Sequence, residues 1–163
     1  MNLRAADPLP RAVVWLGYGG LLPFVALAAA TVATEMSGQS GAQNGEHLPQ
    51  AWNAALLAYG AAILSFVGAL HWGFAMTLHG LTARQQTASF VWSVVPALVA
   101  WIALLASPLV AAVLLVAGFC AHYAQDRRLA AQADLPGWYL PMRLRLTAVA
   151  CLCLGVAATA SLR

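Results

Sequence analysis

Five long apolar stretches separated by short polar gaps set the pattern of this chain. They fall near residues 12–34, 52–78, 88–106, 108–131 and 142–162. Each is close to or above the ~20 apolar residues that a helix needs to cross the hydrocarbon layer. The pattern predicts an all-α polytopic membrane protein, a five-helix transmembrane bundle, as a single domain over residues 1–163. The second stretch exceeds what a bilayer needs, so its helix should tilt or protrude. Ser107 and Pro108 leave room for only a tight turn between the third and fourth stretches, which must pair as an antiparallel hairpin. The first stretch is longer than the roughly 7–15 residues of a signal-peptide core, so it is expected to remain as a helix. Pro23 lies inside it, shortly after Gly17, Gly19 and Gly20. A proline there removes a backbone donor and clashes with the preceding turn, so a kink is expected.

The polar gaps differ in kind. Residues 35–50 are rich in Gly, Gln and Asn, carry only acidic charge, and read as a plain flexible loop. Residues 125–133 form an amphipathic tail to the fourth helix. Residues 135–141 pack Pro136, Gly137, Trp138, Tyr139 and Pro141 into a short, rigid, aromatic segment.

Composition sharpens the class. Hydrophobic residues make up 62% and charged residues 8%, against roughly 45–50% and about 25% in soluble domains. The chain has no lysine, and its net charge of +3 comes from arginine. Arg4, Arg11, Arg84, Arg127, Arg128, Arg143 and Arg145 fall on one side of the predicted topology, and Arg163 on the other. The positive-inside bias then predicts the N-terminus in the cytoplasm and the C-terminus outside. An alanine-rich, lysine-free chain points to a bacterium with a GC-rich genome, hence the inner (plasma) membrane. The positive charge reads as a topology signal and a contact for anionic lipid, not as a nucleic-acid surface.

Helix faces invite close packing. Ala61, Ser65 and Gly68 share one stripe of the second helix, and Thr147, Cys151, Gly155 and Ala158 share one of the fifth. Small residues at such spacings let helix backbones approach. Cys120, Cys151 and Cys153 lie inside apolar stretches without metal-site spacing and read as packing residues.

Chemistry-bearing side chains converge at one depth. His71 and Trp72 of the second helix, Trp92 of the third and the Trp138–Tyr139–Arg143–Arg145 run all fall near the arginine-rich side. A histidine facing lipid is costly, so His71 is expected to face the bundle or an aqueous cleft. Histidine supplies a hydrogen bond, tryptophan a flat apolar wall and arginine an anion contact. Together they form a candidate ligand site for an amphiphile such as a quinone or an anionic lipid. The plainer alternative is an aromatic belt at the lipid interface, with each residue facing outward on its own. His122 and Asp126 lie four residues apart on the fourth helix. They read either as a proton site or, more simply, as a cap of the helix end in contact with solvent, Arg127 and Arg128. Acidic partners at the depth of His71 are not foreseen, so no metal site is expected. No nucleophile–base set, phosphate loop or zinc spacing occurs, which argues against an enzyme, and the sequence leaves any cofactor unknown. No internal repeat of the kind found in many transporters is present either.

Several runs together resemble one family. They are Gly20-Leu21-Leu22-Pro23-Phe24, the run from Ile63 through His71-Trp72-Gly73, Trp92 with Pro96 and Trp101, and Leu135-Pro136-Gly137-Trp138-Tyr139 followed by Arg143, Arg145 and Thr147. The family is the uncharacterised bacterial and mitochondrial membrane-protein family that includes transmembrane protein 69. The resemblance implies a multi-pass membrane protein and transfers no activity and no functional residue.

The functional expectation is a small non-enzymatic membrane protein. The first reading is an accessory or assembly component of a larger membrane complex, respiratory by association with the mitochondrial relative, or a homo-oligomer. The rival is a binder or carrier of a small amphiphile. A solid core with an exposed small-residue face favours the first; a cavity near His71 favours the second.

Overall fold

The computed structural model describes residues 10–36 and 48–162. Arg4, Arg163 and most of the loop expected at 35–50 lie outside the described residues. Six helices occur in chain order: α1 Arg11–Gly19, α2 Leu22–Met36, α3 Leu48–Thr77, α4 Ala83–Leu105, α5 Pro108–Ala130 and α6 Tyr139–Ala160. No strand occurs among the described residues. The α1–α2 pair acts as one span over Arg11–Met36, so five spans are long and apolar enough to cross a membrane. The surface agrees. Trp15, Leu16, Leu22, Phe66, Leu105 and Leu152 are all largely exposed, where hydrocarbon is the solvent that suits them.

The expected kink in the first helix is a full break. It sits at Gly20 and Leu21, one turn before the proline, because Pro23 lacks a donor and crowds the turn behind it. Inside a membrane the freed carbonyls need partners. The Tyr59 hydroxyl of α3 supplies one, donating to the Gly20 carbonyl at 2.8 Å. The Tyr59 ring then stands edge-on to Phe24 at 5.0 Å, which joins the break to the core.

Three helix starts lie earlier than hydropathy alone places them. α3 begins at Leu48 rather than near 52. α4 begins at Ala83 rather than 88, because Thr82 and Gln85 form a capping box. The Thr82 hydroxyl accepts from the Gln85 backbone N–H, and the Gln85 side chain accepts from the Thr82 N–H at 2.8 Å. α6 begins at Tyr139 rather than 142. The aromatic turn expected at 135–141 is therefore partly helix, with Pro141 in the first turn, where its missing donor is no loss. Ser107 and Pro108 do open α5 directly after α4, as a hairpin requires.

The bundle runs up and down. Leu56, Leu64, Leu115 and Leu154 are fully buried along its middle. Glycines admit them: a Cβ on Gly60 would meet Leu154 Cδ2 at 3.0 Å, and one on Gly118 would meet Leu64 Cδ2 at 2.6 Å. Gly68 of the α3 small-residue stripe faces Pro96 of α4, whose ring atoms would stand 2.8 and 2.9 Å from an added Cβ. The Pro96 ring fills the space a side chain would take, so the stripe is used inside the fold. The arginine-bearing ends of α1, α4, α5 and α6 then lie on one side of the bundle. The opposite end is tied by Asn53 of α3, which donates to the Ser161 hydroxyl at 3.0 Å.

Candidate functional site

On α5 the buried residues are Ala111, Ala112, Leu115, Phe119, His122, Asp126 and Leu129. They repeat every three or four positions, which is one face of a helix. His122 and Asp126 thus lie on the same stripe as the core leucines and face the bundle centre, while Arg127 and Arg128 are rotated onto the surface. The expectation that this pair caps the helix end in solvent is overturned: both residues are 0% exposed. So is the expectation that no acid lies at the depth of His71.

Asp126 is the hub. Its Oδ1 accepts from His71 Nε2 at 3.0 Å and from the Tyr139 hydroxyl at 3.1 Å. Its Oδ2 accepts from Arg143 Nε at 2.9 Å. Four helices meet there, because Trp92 of α4 donates its indole N–H to His122 Nδ1 at 3.2 Å. The His71 and His122 rings stand edge to face with centroids 5.0 Å apart. Asp126 and Arg143 cancel each other's charge, the arrangement under which ions survive in a low-dielectric interior. The cluster is still not self-sufficient. His71 Nδ1, His122 Nε2 and Arg143 Nη2 are enclosed without a hydrogen-bond partner, and such atoms cost free energy.

Two histidines and a carboxylate with ligand atoms within 4.8 Å of one another are also the raw material of a metal site. The bonding pattern argues otherwise. An indole N–H only donates, so His122 Nδ1 carries the lone pair and Nε2 carries the proton. His71 Nε2 likewise donates its proton to Asp126. With these tautomers the two nitrogens nearest Asp126 are the protonated ones, the reverse of a metal-binding imidazole, which donates from its far nitrogen. The Arg143 guanidinium bonded to Asp126 adds a positive charge where a cation would sit.

The residues foreseen from sequence divide. His71 and Arg143 are buried in the cluster, Tyr139 bonds its hub, and Trp92 reaches it through His122. Trp138 is half-buried and edge-on to Tyr139, with ring centroids 6.3 Å apart. Trp72 and Arg145 are not part of it. Trp72 is 51% exposed and stacks edge-on against Phe90 on the outer surface. Arg145 is exposed and reaches the Tyr18 hydroxyl at 3.4 Å. His122 and Asp126 were missed as site residues. The apolar stripe of α5 was the signal, since it passes through both.

Beside the cluster lies a cavity of about 580 Å³ between α1–α2, α3 and α6. Its walls are mostly apolar, among them Leu16, Phe24, Phe66 and Leu146, and Tyr139 and Arg143 line it too. On α6 the lining runs from Tyr139 to Ala150, about 16 Å of helix at 1.5 Å per residue. Tyr139 and Arg143 stand at one end of that run, with Leu146, Thr147 and Ala150 beyond. Leu16 and Phe66 are largely exposed, so the cavity opens on the lipid-facing surface.

Residues 9–159 match the family described as "Protein of unknown function (DUF3429)". The chain is also 35% identical over 153 residues to "Transmembrane protein 69" of Xenopus tropicalis, covering 91% of this chain and 54% of that protein. It therefore spans about half the length of this curated relative. No solved structure matches. With a match over nearly its whole length and five membrane-spanning helices in place, this chain belongs to the DUF3429 family, a membrane-protein family akin to transmembrane protein 69.

Proposed function

We propose that this protein binds a small amphiphile in the lipid-facing cavity between α1–α2, α3 and α6, and acts by holding it rather than by transforming it. One observation carries the reading: an apolar cavity open to lipid is lined at one end by Tyr139 and Arg143, both bonded to a buried polar cluster. Its volume of about 580 Å³ falls within the roughly 300–1,000 Å³ of small-molecule sites. The apolar part of an amphiphile matches the walls, and its polar head matches the donors of Arg143. The cluster holds no nucleophile beside a base, which supports binding over catalysis. The exposed Arg84, Arg127, Arg128 and Arg145 at the same end support a cytoplasmic position for the site, with the N-terminus inside and the C-terminus outside a bacterial inner membrane.

The test is mass spectrometry of apolar molecules retained after purification in mild detergent. Wild type retains a defined species in stoichiometric amount, and Leu146→Trp, which fills the cavity without touching the cluster, loses it. Retention of bulk membrane lipid alone, equal in both proteins, would mean the cavity holds ordinary annular lipid and would sink the reading.

A second role, as an accessory subunit of a larger membrane complex, has one observation in its favour. Gly155 on α6 has nothing within 4 Å of where a Cβ would stand, and its stripe neighbours Cys151 and Ala158 are half-buried. That strip leaves room for another helix. Gly155→Leu should then abolish co-purification of the partner subunit. Purification of wild type alone under mild conditions counts against this role.

A further inference from the structure

We infer that the polar head accepted at Tyr139 and Arg143 is an uncharged carbonyl, as in an isoprenoid quinone or an acylglycerol ester, and not a phosphate or carboxylate. The inference rests on the amphiphile reading and adds the chemical class. Three features carry it. First, Asp126 already neutralises Arg143 through the 2.9 Å bond from Nε to Oδ2. An anion brought to the guanidinium meets the Asp126 carboxylate behind it, so repulsion offsets much of the attraction. Second, the cavity walls are mostly apolar and give little back for the water an anion must shed. A carbonyl sheds far less. Third, the available donors are few. The Tyr139 proton is committed to Asp126 Oδ1 and the His71 Nε2 proton to the same oxygen. The Trp92 N–H is committed to His122. Of the two cluster residues that line the cavity, Arg143 keeps a donor without an acceptor: Nε bonds Asp126, and Nη2 is enclosed without a partner, while the unpaired His122 Nε2 is not part of the lining. A small rotation of the guanidinium would present such a nitrogen to one acceptor oxygen of the ligand. The Tyr139 oxygen, its proton turned away, has a lone pair left for a hydroxyl on the same head.

Arg145 shows the contrast. Two residues along the same helix it is exposed, bonds the Tyr18 hydroxyl at 3.4 Å, and carries its charge at the surface where anionic headgroups lie. Anions have a better place to go than the cavity.

The experiment compares probes of similar chain length on the full chain in phosphatidylcholine nanodiscs, read by quenching of tryptophan fluorescence and by thermal shift. The probes are a decyl-substituted quinone, a monoacylglycerol and decyl phosphate. The expected result is saturable binding of a neutral probe at least about tenfold tighter than decyl phosphate, lost in Leu146→Trp. Preference for the quinone or for the acylglycerol identifies the source of the carbonyl. Asp126→Asn removes the cancelling charge, so affinity for decyl phosphate should rise while neutral affinity changes little. If Asp126→Asn does not fold, the wild-type preference alone decides. Tighter binding of decyl phosphate to wild type, sensitive to Leu146→Trp, overturns the neutral-head inference and leaves the amphiphile reading standing. No saturable binding of any probe, or binding indifferent to Leu146→Trp, overturns both.

Discussion

Arg143 and Arg145 sit two residues apart on one helix and do opposite things. Two residues turn a helix by roughly 200°, so one guanidinium enters the bundle and the other leaves it. Sequence reading grouped both as topology charges and as anion contacts of one candidate site, because either position sits near a helix end. The distinguishing mark was the buried stripe of α6, where Tyr139, Met142, Arg143, Thr147 and Ala150 recur every three or four positions and Arg145 does not. The pair of Asp126 and Arg143 makes a sharp prediction. Arg143→Met leaves the carboxylate buried without its counter-ion and should lower stability by about 3–5 kcal/mol. Adding Asp126→Asn should restore much of that loss. Thermal unfolding in detergent of the two single variants and the double measures it, and a double variant showing the simple sum of the two losses would mean the charges are not coupled. Trp92→Phe keeps the ring and deletes one hydrogen bond to His122, so a smaller loss of roughly 1 kcal/mol is expected. His71 was legible from its cost against lipid. Asp126 was not, because its neighbours Arg127 and Arg128 offered surface partners that helical rotation in fact takes away from it.

At the scale of elements, the apolar cores of the helices were legible and their starts were not. Hydropathy marks where a helix is buried in lipid, whereas hydrogen bonds mark where it begins. The Thr82–Gln85 capping box draws α4 back to Ala83 through polar residues that look like loop. The break between α1 and α2 was legible as a proline effect, but the Tyr59 hydroxyl that supports it comes from another helix and had no local signature. Tyr59→Phe removes that donor and leaves a carbonyl unpaired inside the membrane, with an expected loss of about 1–3 kcal/mol. Two glycines of α3 should answer substitution differently. Gly68→Val drives a branched side chain into Pro96 and should cost roughly 1–3 kcal/mol by overpacking. Gly73 has open space at its Cβ position, so Gly73→Ala should be neutral or stabilising by up to about 1 kcal/mol. Unfolding midpoints measured side by side decide it; equal losses at both sites would show that packing against Pro96 is not what Gly68 provides.

At the scale of the whole molecule, the five spans followed from length and hydropathy alone, since backbone groups in lipid leave few other choices. The site followed only in part. Depth along the membrane was readable from topology, but which face of each helix turns inward is a property of packing, and Trp72 and Arg145 were misplaced for that reason. The same packing gives orientation its meaning. The polar cluster, the cavity's polar end and the exposed Arg84, Arg127, Arg128 and Arg145 occupy one end of the bundle, so whichever compartment that end faces also faces the head of any bound amphiphile. The positive-inside bias predicts that it is the cytoplasm. Single cysteines at Arg84, at the arginine-rich end, and at Gln50, near the start of α3 at the opposite end, test this in a background lacking Cys120, Cys151 and Cys153. A membrane-impermeant maleimide added to intact spheroplasts should label the Gln50 position at once and the Arg84 position only after the membrane is opened. The reverse pattern would place the cluster and its cavity mouth on the outer side, and an amphiphile would then enter from the outer leaflet.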